Sequence, residues 1–217
     1  MWGVLTLPLY THINDTPMHL GSTAHIAVSC KDIPASLPFY QTLGFTTLFI
    51  DNETSPSFVR LTDGAITLAL IAEDFGTPSL AYFTTGLQEN VAGLRQLHID
   101  VETDTDNNGD FTQAHFVNPD GLHVWLHPTA GNSTKAGATP NSVCGTFGEL
   151  AMSVHDLDNS ILYWQHLGFE LLHRSIVPYP FAIVSDGAML LGLRENKELA
   201  HAALTYYARD MANRIEQ

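Results

Sequence analysis

Two stretches of the sequence match each other, and the match decides the fold. Residues 25–45 read HIAVSCKDIPASLPFYQTLGF, and residues 149–169 read ELAMSVHDLDNSILYWQHLGF. Both stretches end in Leu-Gly-Phe, and the second follows the first at an offset of 124 residues. Residues 58–70 and 181–193 continue the match at an offset of 123. A repeat of this length indicates two copies of one structural unit.

Each copy predicts a strand, a helix and three further strands. In the first copy, the β-rich residues 25–29 predict the first strand. Apolar residues at helical spacing follow, with Asp32 placed to cap the helix and Gly44 to end it in the left-handed conformation. An Asp63-Gly64 pair predicts a hairpin turn. The other strands are predicted over residues 46–50, 57–62 and 65–71.

Residues 80–127 predict a second, more divergent unit of the same βαβββ order. A strand over residues 80–85 is followed by an amphipathic helix over residues 87–97. The sequence Asn-Pro-Asp-Gly at residues 118–121 supplies the last turn. The three strands after the helix are predicted over residues 98–103, 111–117 and 122–127.

The stretch between the repeats has the composition of a linker. Residues 129–146 are rich in Gly, Ser, Thr, Pro and Asn and have no hydrophobic periodicity. We therefore predict a first domain over residues 20–128 and a second over residues 147–217. By the repeat offset, Gln217 corresponds to Gly93, so the second domain is expected to be incomplete. Either the chain is a fragment, or another segment or subunit completes the sheet.

Composition and charge limit the expected partners. The chain has 23 acidic and 9 basic residues, and its formal net charge of −14 repels phosphate backbones and anionic lipid surfaces. We therefore expect neither nucleic acid nor membrane as a partner. Cys30 and Cys144 form no CxxC pattern, and the N-terminus has no basic region and no long apolar run. These features predict a cytoplasmic globular protein.

The order of these motifs resembles the vicinal oxygen chelate superfamily, which includes glyoxalase I, extradiol dioxygenases, fosfomycin-resistance enzymes and bleomycin-binding proteins. The shared features are the paired βαβββ units, the Phe-Tyr-x-x-Leu-Gly-Phe helix end, the Asp-Gly hairpin and the Asn-Pro-Asp-Gly turn. The resemblance covers the first domain and about the first two-thirds of the second. It implies an α+β protein with the glyoxalase/bleomycin-resistance fold, in which tandem modules form curled mixed sheets around a cup.

The resemblance also implies positions for metal ligands. Enzymes of this superfamily hold a divalent metal with His and Glu side chains that face into the cup. His25 matches the first of these positions, whereas Thr67, Ser79 and Trp125 stand at the others. His127 or His123 is a weak replacement for the missing Glu, and a catalytic site normally needs three protein ligands. No metal is therefore expected, and Zn, Mn, Fe or Ni is the alternative.

A cup without most of its metal ligands predicts binding of a small organic molecule, because Trp125 adds a large apolar surface. Glu149, at the start of the second copy, is a weak candidate for a general base if it is buried, and otherwise a solvated strand end. The residues expected to line the cup are His25, Thr67, Ser79, Phe83, His115, Trp125 and His127.

Two other functions stay open. The first is a metal-dependent lyase, isomerase or dioxygenase that uses His25, His127 and a residue from another module. The second is a structural or interaction role in which another subunit, as in a homodimer, completes the second domain. Metal content tests the first function, and the oligomeric state tests the second.

Overall fold

A computed structural model describes residues 18–76, 78–129, 142–196 and 199–212. Within these residues the chain forms two mixed β-sheets and three α-helices, and neither sheet closes into a barrel. The predicted α+β class is therefore confirmed. No helix in the described part is both long and apolar enough to span a membrane.

The first sheet contains two βαβββ units. In chain order, their elements are β1 (Thr23–Ser29), α1 (Ile33–Thr42), β2 (Thr46–Ile50), β3 (Phe58–Thr62), β4 (Thr67–Ile71), β5 (Ser79–Thr84), α2 (Leu87–Gln96), β6 (Glu102–Thr105), β7 (Phe111–Val117) and β8 (His123–Pro128). The second sheet contains a third unit and one more strand. These elements are β9 (Thr146–Ser153), α3 (Leu157–His166), β10 (Glu170–Ser175), β11 (Phe181–Ser185), β12 (Leu190–Arg194) and β13 (Ala203–Tyr207).

The two sheets repeat one strand order. The first sheet is ordered β2-β3-β4-β1-β5-β8-β7-β6, and the second is ordered β10-β11-β12-β9-β13. In both sheets the first strand of the unit pairs in parallel with its fourth strand, β1 with β4 and β9 with β12. The other side of each first strand pairs antiparallel with the next strand along the chain, β5 or β13. The predicted repeat is therefore present in the strand pairing.

The helix caps follow the sequence prediction. Asp32 and Asp156 each accept a hydrogen bond, at 3.0 Å, from the backbone N–H three residues later. Gly44 and Gly168 follow α1 and α3 with φ angles of 93° and 89°, in the left-handed region that suits glycine.

The strand predicted over residues 98–103 begins later than expected. His98 has a φ angle of 59°, and the Ile99 N–H donates back to the Leu94 carbonyl at 3.0 Å. His98 therefore ends α2 in the position that glycine holds after α1 and α3. The left-handed conformation excludes His98 itself from a strand, and β6 begins at Glu102.

The core is shared between the two sheets. Buried apolar side chains from both halves of the chain belong to one continuous cluster, and its largest fully buried members include Tyr82, Phe116 and Trp164. Burial of this surface is the main contribution to the stability of the fold. The division of the chain into two domains around residues 129–146 stays a prediction.

Two tyrosines lie near turn aspartates of the opposite half of the chain, and Tyr206 forms a hydrogen bond to its aspartate. The Tyr206 hydroxyl of β13 donates to Asp63 Oδ2, in the turn between β3 and β4, at 2.7 Å. Tyr82 of β5 and Asp186, in the turn between β11 and β12, are their counterparts in the repeat. Burial, followed by the Asp186 carboxylate, raises the pKa of Tyr82 well above its usual value. Each half therefore places a strand tyrosine against a turn of the other half.

The crossed pairs predict a measurable stability loss. Tyr206→Phe removes the hydroxyl that Asp63 accepts, and we expect it to lower the free energy of unfolding by about 2 kcal/mol, as for a hydrogen bond to a charged group. Urea unfolding measures this change. The control is Tyr163→Phe, because the buried Tyr163 hydroxyl has no hydrogen-bond partner among the described residues. Equal losses in the two variants would contradict a specific contribution of the Tyr206–Asp63 pair.

Candidate functional site

The strands of the first sheet alternate between two faces. In β1, Ile26 is fully buried in the shared core, and its neighbours His25 and Ala27 point to the opposite face. α2 packs against β7 and β8 on the core side. We call the opposite face the cup face. Strand pairing extends this alternation across the sheet, so cup-face residues of different strands line up in rows.

In one row of the cup face, two alanines stand between the guanidinium group of Arg60 and the hydroxyl of Ser79. Arg60 of β3 pairs with Ala69 of β4, Ala69 pairs with Ala27 of β1, and Ala27 pairs with Ser79 of β5. Three strand spacings of about 4.8 Å separate the backbones of Arg60 and Ser79. The alanine side chains are small, so they leave a flat floor between the two polar ends.

The next row crosses the sheet from β1 to β6. Thr67 precedes Leu68, the partner of Ile26, and so lies beside His25 at one end of this row. Phe83 and His127 pair with each other in the adjacent row. In strand order, the members of the crossing row are His25, Ala81, Trp125, His115 and Glu102.

The residues predicted to line the cup therefore lie on one face, but their rings form two groups. In the first group, the Phe83 ring lies 4.6 Å from His25 and 5.5 Å from His127, measured between ring centroids. In the second group, Trp125 stacks on His115 at 4.1 Å. Ala81 separates the two groups because it stands between His25 and Trp125 in the row.

Three buried polar atoms on the cup face have no hydrogen-bond partner among the described residues. They are His25 Nδ1, Arg60 Nε and Ser79 Oγ. Buried polar atoms in folded proteins nearly always have a partner, because an unpaired one costs roughly 1–3 kcal/mol. The cup face therefore carries three polar atoms that the described residues leave unsatisfied.

The positive charge on this face comes from Arg60. Burial lowers the pKa of His25 to about 4, with further contributions from Arg60 and His127. Burial also lowers the pKa of His127. Both imidazoles are therefore neutral at pH 7, and Arg60 forms no ion pair with a carboxylate in the described part of the chain. The Arg60 guanidinium lies 5.2 Å from the centre of the Phe49 ring.

The metal that the resemblance implies does not fit the residues on this face. A divalent ion needs its imidazole ligands at about 2.0–2.1 Å, and the Phe83 ring packs against both His25 and His127. The described residues contain no group of three or more His, Cys, Asp or Glu side chains that could hold a metal ion. The expectation that no metal is required stays a prediction.

Glu149 is buried in the second sheet. It is 1% exposed and lies within β9, so its interpretation as a solvated strand end is wrong. Arg194 forms an ion pair with Glu149 Oε1, and the Thr205 hydroxyl donates to the same oxygen at 3.1 Å. The Tyr207 hydroxyl lies 3.2 Å from Glu149 Oε2. The carboxylate therefore ties β9 to the strands on both sides of it.

Arg60 is the site residue that was not predicted from the sequence. It stands between Val59 and Leu61, which are both fully buried. A single cation in the middle of a short apolar strand is unusual, because charged side chains are seldom buried without a partner. That pattern is the signal in the sequence that points to Arg60.

The low pKa of His25 predicts a pH dependence of stability. Between pH 6.5 and about 4, the unfolded chain binds a proton at His25 that the folded chain does not bind. The free energy of unfolding should therefore fall as the pH decreases through this window, by up to about 3 kcal/mol from this group.

We expect His25→Gln to remove this part of the pH dependence, measured by urea unfolding at about pH 7.5 and about pH 4.5. The control is His173→Gln, because His173 is exposed on β10 and forms no ion pair among the described residues. If the free energy of unfolding decreased with pH as much in His25→Gln as in the unmodified chain, this dependence would not come from His25.

Solved structures with the same fold are extradiol dioxygenases. Catechol 2,3-dioxygenase is 13% identical with a TM-score of 0.60, and the match covers 92% of this chain and 74% of that one. An extradiol ring-cleaving dioxygenase from Brevibacterium fuscum is 14% identical with a TM-score of 0.64, and the match covers 94% of this chain and 63% of that one. Homoprotocatechuate 2,3-dioxygenase from Arthrobacter globiformis is 13% identical with a TM-score of 0.64, with coverage of 94% and 69%.

Extradiol dioxygenases are among the families that the sequence resemblance names, so the fold which that resemblance implies is confirmed. The chain spans 63% of the length of the Brevibacterium fuscum enzyme. No family model matches the sequence, and no curated protein matches it.

Proposed function

We propose that the chain binds a small organic anion with an aromatic or apolar body on the cup face of the first sheet. The observation that supports this most directly is the group of buried, unpaired polar atoms formed by His25 Nδ1, Arg60 Nε and Ser79 Oγ. A ligand that brings oxygen atoms to this face would satisfy them and recover the cost of leaving them unpaired.

Arg60 favours a carboxylate as the polar group. A guanidinium without an ion pair presents a planar set of N–H donors, and carboxylates match this geometry with two parallel hydrogen bonds. The neutral state of His25 at pH 7 fits the same role, since it lets the imidazole contribute a hydrogen bond without further charge.

The rest of the cup face favours a flat ligand body. Ala27, Ala69 and Ala81 form a floor of small side chains, and Phe83 and Trp125 stand beside it. Aromatic rings pack well in such a setting through offset or edge-on contacts. One structurally similar protein, homoprotocatechuate 2,3-dioxygenase from Brevibacterium fuscum, is known as a complex with 3,4-dihydroxyphenylacetate, a small aromatic carboxylate. This supports the same ligand class here.

Binding is favoured over metal-dependent catalysis because His25 and His127 do not converge on a third ligand. Elemental mass spectrometry of the purified protein, before any chelation, tests this choice. A stoichiometric transition metal that is absent from the His25→Gln variant would favour the alternative function, a metal-dependent lyase, isomerase or dioxygenase.

Replacement of Arg60 tests the carboxylate. We expect Arg60→Gln to weaken binding of phenylacetate about tenfold or more, because a charged hydrogen bond contributes roughly 1.5–3 kcal/mol. Binding of the neutral phenylacetamide should change little. Isothermal titration calorimetry measures both affinities. The control is Arg174→Gln, since Arg174 lies on the second sheet and pairs with Asp158 at 2.7 Å. Equal phenylacetate affinity in Arg60→Gln and the unmodified chain would contradict the proposal.

Replacement of Trp125 tests the ligand body. We expect Trp125→Ala to weaken phenylacetate and phenylacetamide by the same factor, about three- to tenfold, because it removes a ring contact and leaves Arg60 in place. The control is Phe39→Ala, since Phe39 lies on α1 and is 62% exposed. Unchanged affinity for both probes in Trp125→Ala would show that the ligand does not reach this side of the cup face.

A further inference from the structure

A pair of histidines lies at the far end of the cup face, away from Arg60. His115 Nε2 of β7 and His123 Nδ1 of β8 are 2.9 Å apart. His115 pairs across the strands with Trp125, and His123 pairs with Val117, so the two imidazoles meet diagonally between neighbouring strands. Two nitrogen atoms at this distance share one hydrogen, or they share a metal ion.

We propose that His115 and His123 form a binding site for a single divalent transition metal ion, with water completing its coordination. Imidazole nitrogen is a preferred ligand of Zn, Ni and Cu. At metal–nitrogen distances of about 2.0–2.1 Å in tetrahedral geometry, two ligand nitrogens lie about 3.3 Å apart. The pair therefore needs to open by only a few tenths of an ångström to exchange the shared hydrogen for an ion.

Glu102 lies near the ring nitrogen of His115 that would not bind the metal ion. Its Oε2 lies 3.4 Å from Nδ1 of His115, on the side of the ring opposite His123. A histidine that binds a metal through one nitrogen usually donates its other N–H to a carboxylate, which fixes the tautomer and turns the free lone pair toward the ion. Glu102 places His115 in this arrangement and leaves Nε2 directed at His123.

The two imidazoles are held in place by their neighbours. Trp125 stacks on His115 at 4.1 Å with an interplanar angle of 27°. Gly76 packs against the ring of His123 so closely that a Cβ at this position would overlap it. Fixed side chains lose little conformational freedom on binding, which favours affinity.

Water can reach both histidines. His115 lines a cavity of about 320 Å³ together with Glu102 and Tyr163, and His123 lines a cavity of about 210 Å³ together with Asp120 and Ser153. Each cavity is large enough for several water molecules, whose share of volume is about 30 Å³ each. Each histidine therefore borders a space that can hold water.

This site is independent of the ligand proposed for Arg60, because neither His25 nor Arg60 takes part in it. It also differs from the metal positions that the fold implies, of which His25 is the one that matches. The net charge of −14 favours the local concentration of cations over the whole surface, so specific binding at the pair must be separated from general attraction.

The test is a titration of the full chain with Ni²⁺ after chelator treatment and dialysis. Isothermal titration calorimetry should give one saturable site with micromolar affinity. Because Trp125 stacks on His115, bound Ni²⁺ should also quench part of the tryptophan fluorescence. Trp125→Phe should bind Ni²⁺ and lose that quenching.

His123→Gln and His115→Gln should each weaken Ni²⁺ binding at least tenfold. The matched control, His155→Gln, changes a histidine whose side chain is 95% exposed and should leave the affinity unchanged. Arg60→Gln should also leave it unchanged, which separates this site from the proposed anion site. Absence of saturable binding, or equal affinity in His123→Gln and the unmodified chain, would overturn the proposal.

Discussion

The position of β1 in the middle of the first sheet is the constraint on which the candidate site depends. β1 pairs in parallel with β4 on one side and antiparallel with β5 on the other. These two registers place Arg60, Ala27 and Ser79 in one row. In the next row, Ala81 stands between His25 and Trp125. A shift of one residue would turn His25 into the core and expose Ile26, so the buried face fixes the register and with it the site.

The cup face combines two kinds of chemistry at its two ends. At one end, a cation and unpaired donors lie over a floor of alanines, which suits an anion. At the other end, the imidazoles of His115 and His123 lie beside the Glu102 carboxylate, and these groups suit a cation. Trp125 stands between the two ends because it pairs with Ala81 on one side and stacks on His115 on the other. The two ends meet in the neighbouring row, where the strand register places His123 one strand beyond Ser79.

Much of the fold follows from the sequence because its signals are local. The Asp32 cap, Gly44 and the Asp63-Gly64 turn depend on a few consecutive residues, and the repeat supplies each of them twice. The start of β6 was placed too early because His98 takes a left-handed conformation that glycine usually marks. Arg60 and the His115–His123 contact were missed for another reason. Their roles arise only when β3 meets β4 and β7 meets β8, and single-strand patterns do not show which partner a residue will face.

The crossed tyrosine–aspartate pairs have a consequence for how the chain can change over time. Asp63 accepts the hydroxyl of Tyr206 from the opposite half, so a change at either position removes a contact of the other. Loss of the residue in one copy leaves a buried polar group in the other copy without its neighbour. Because one apolar core also runs through both halves, a substitution in either half acts on packing that the two halves share.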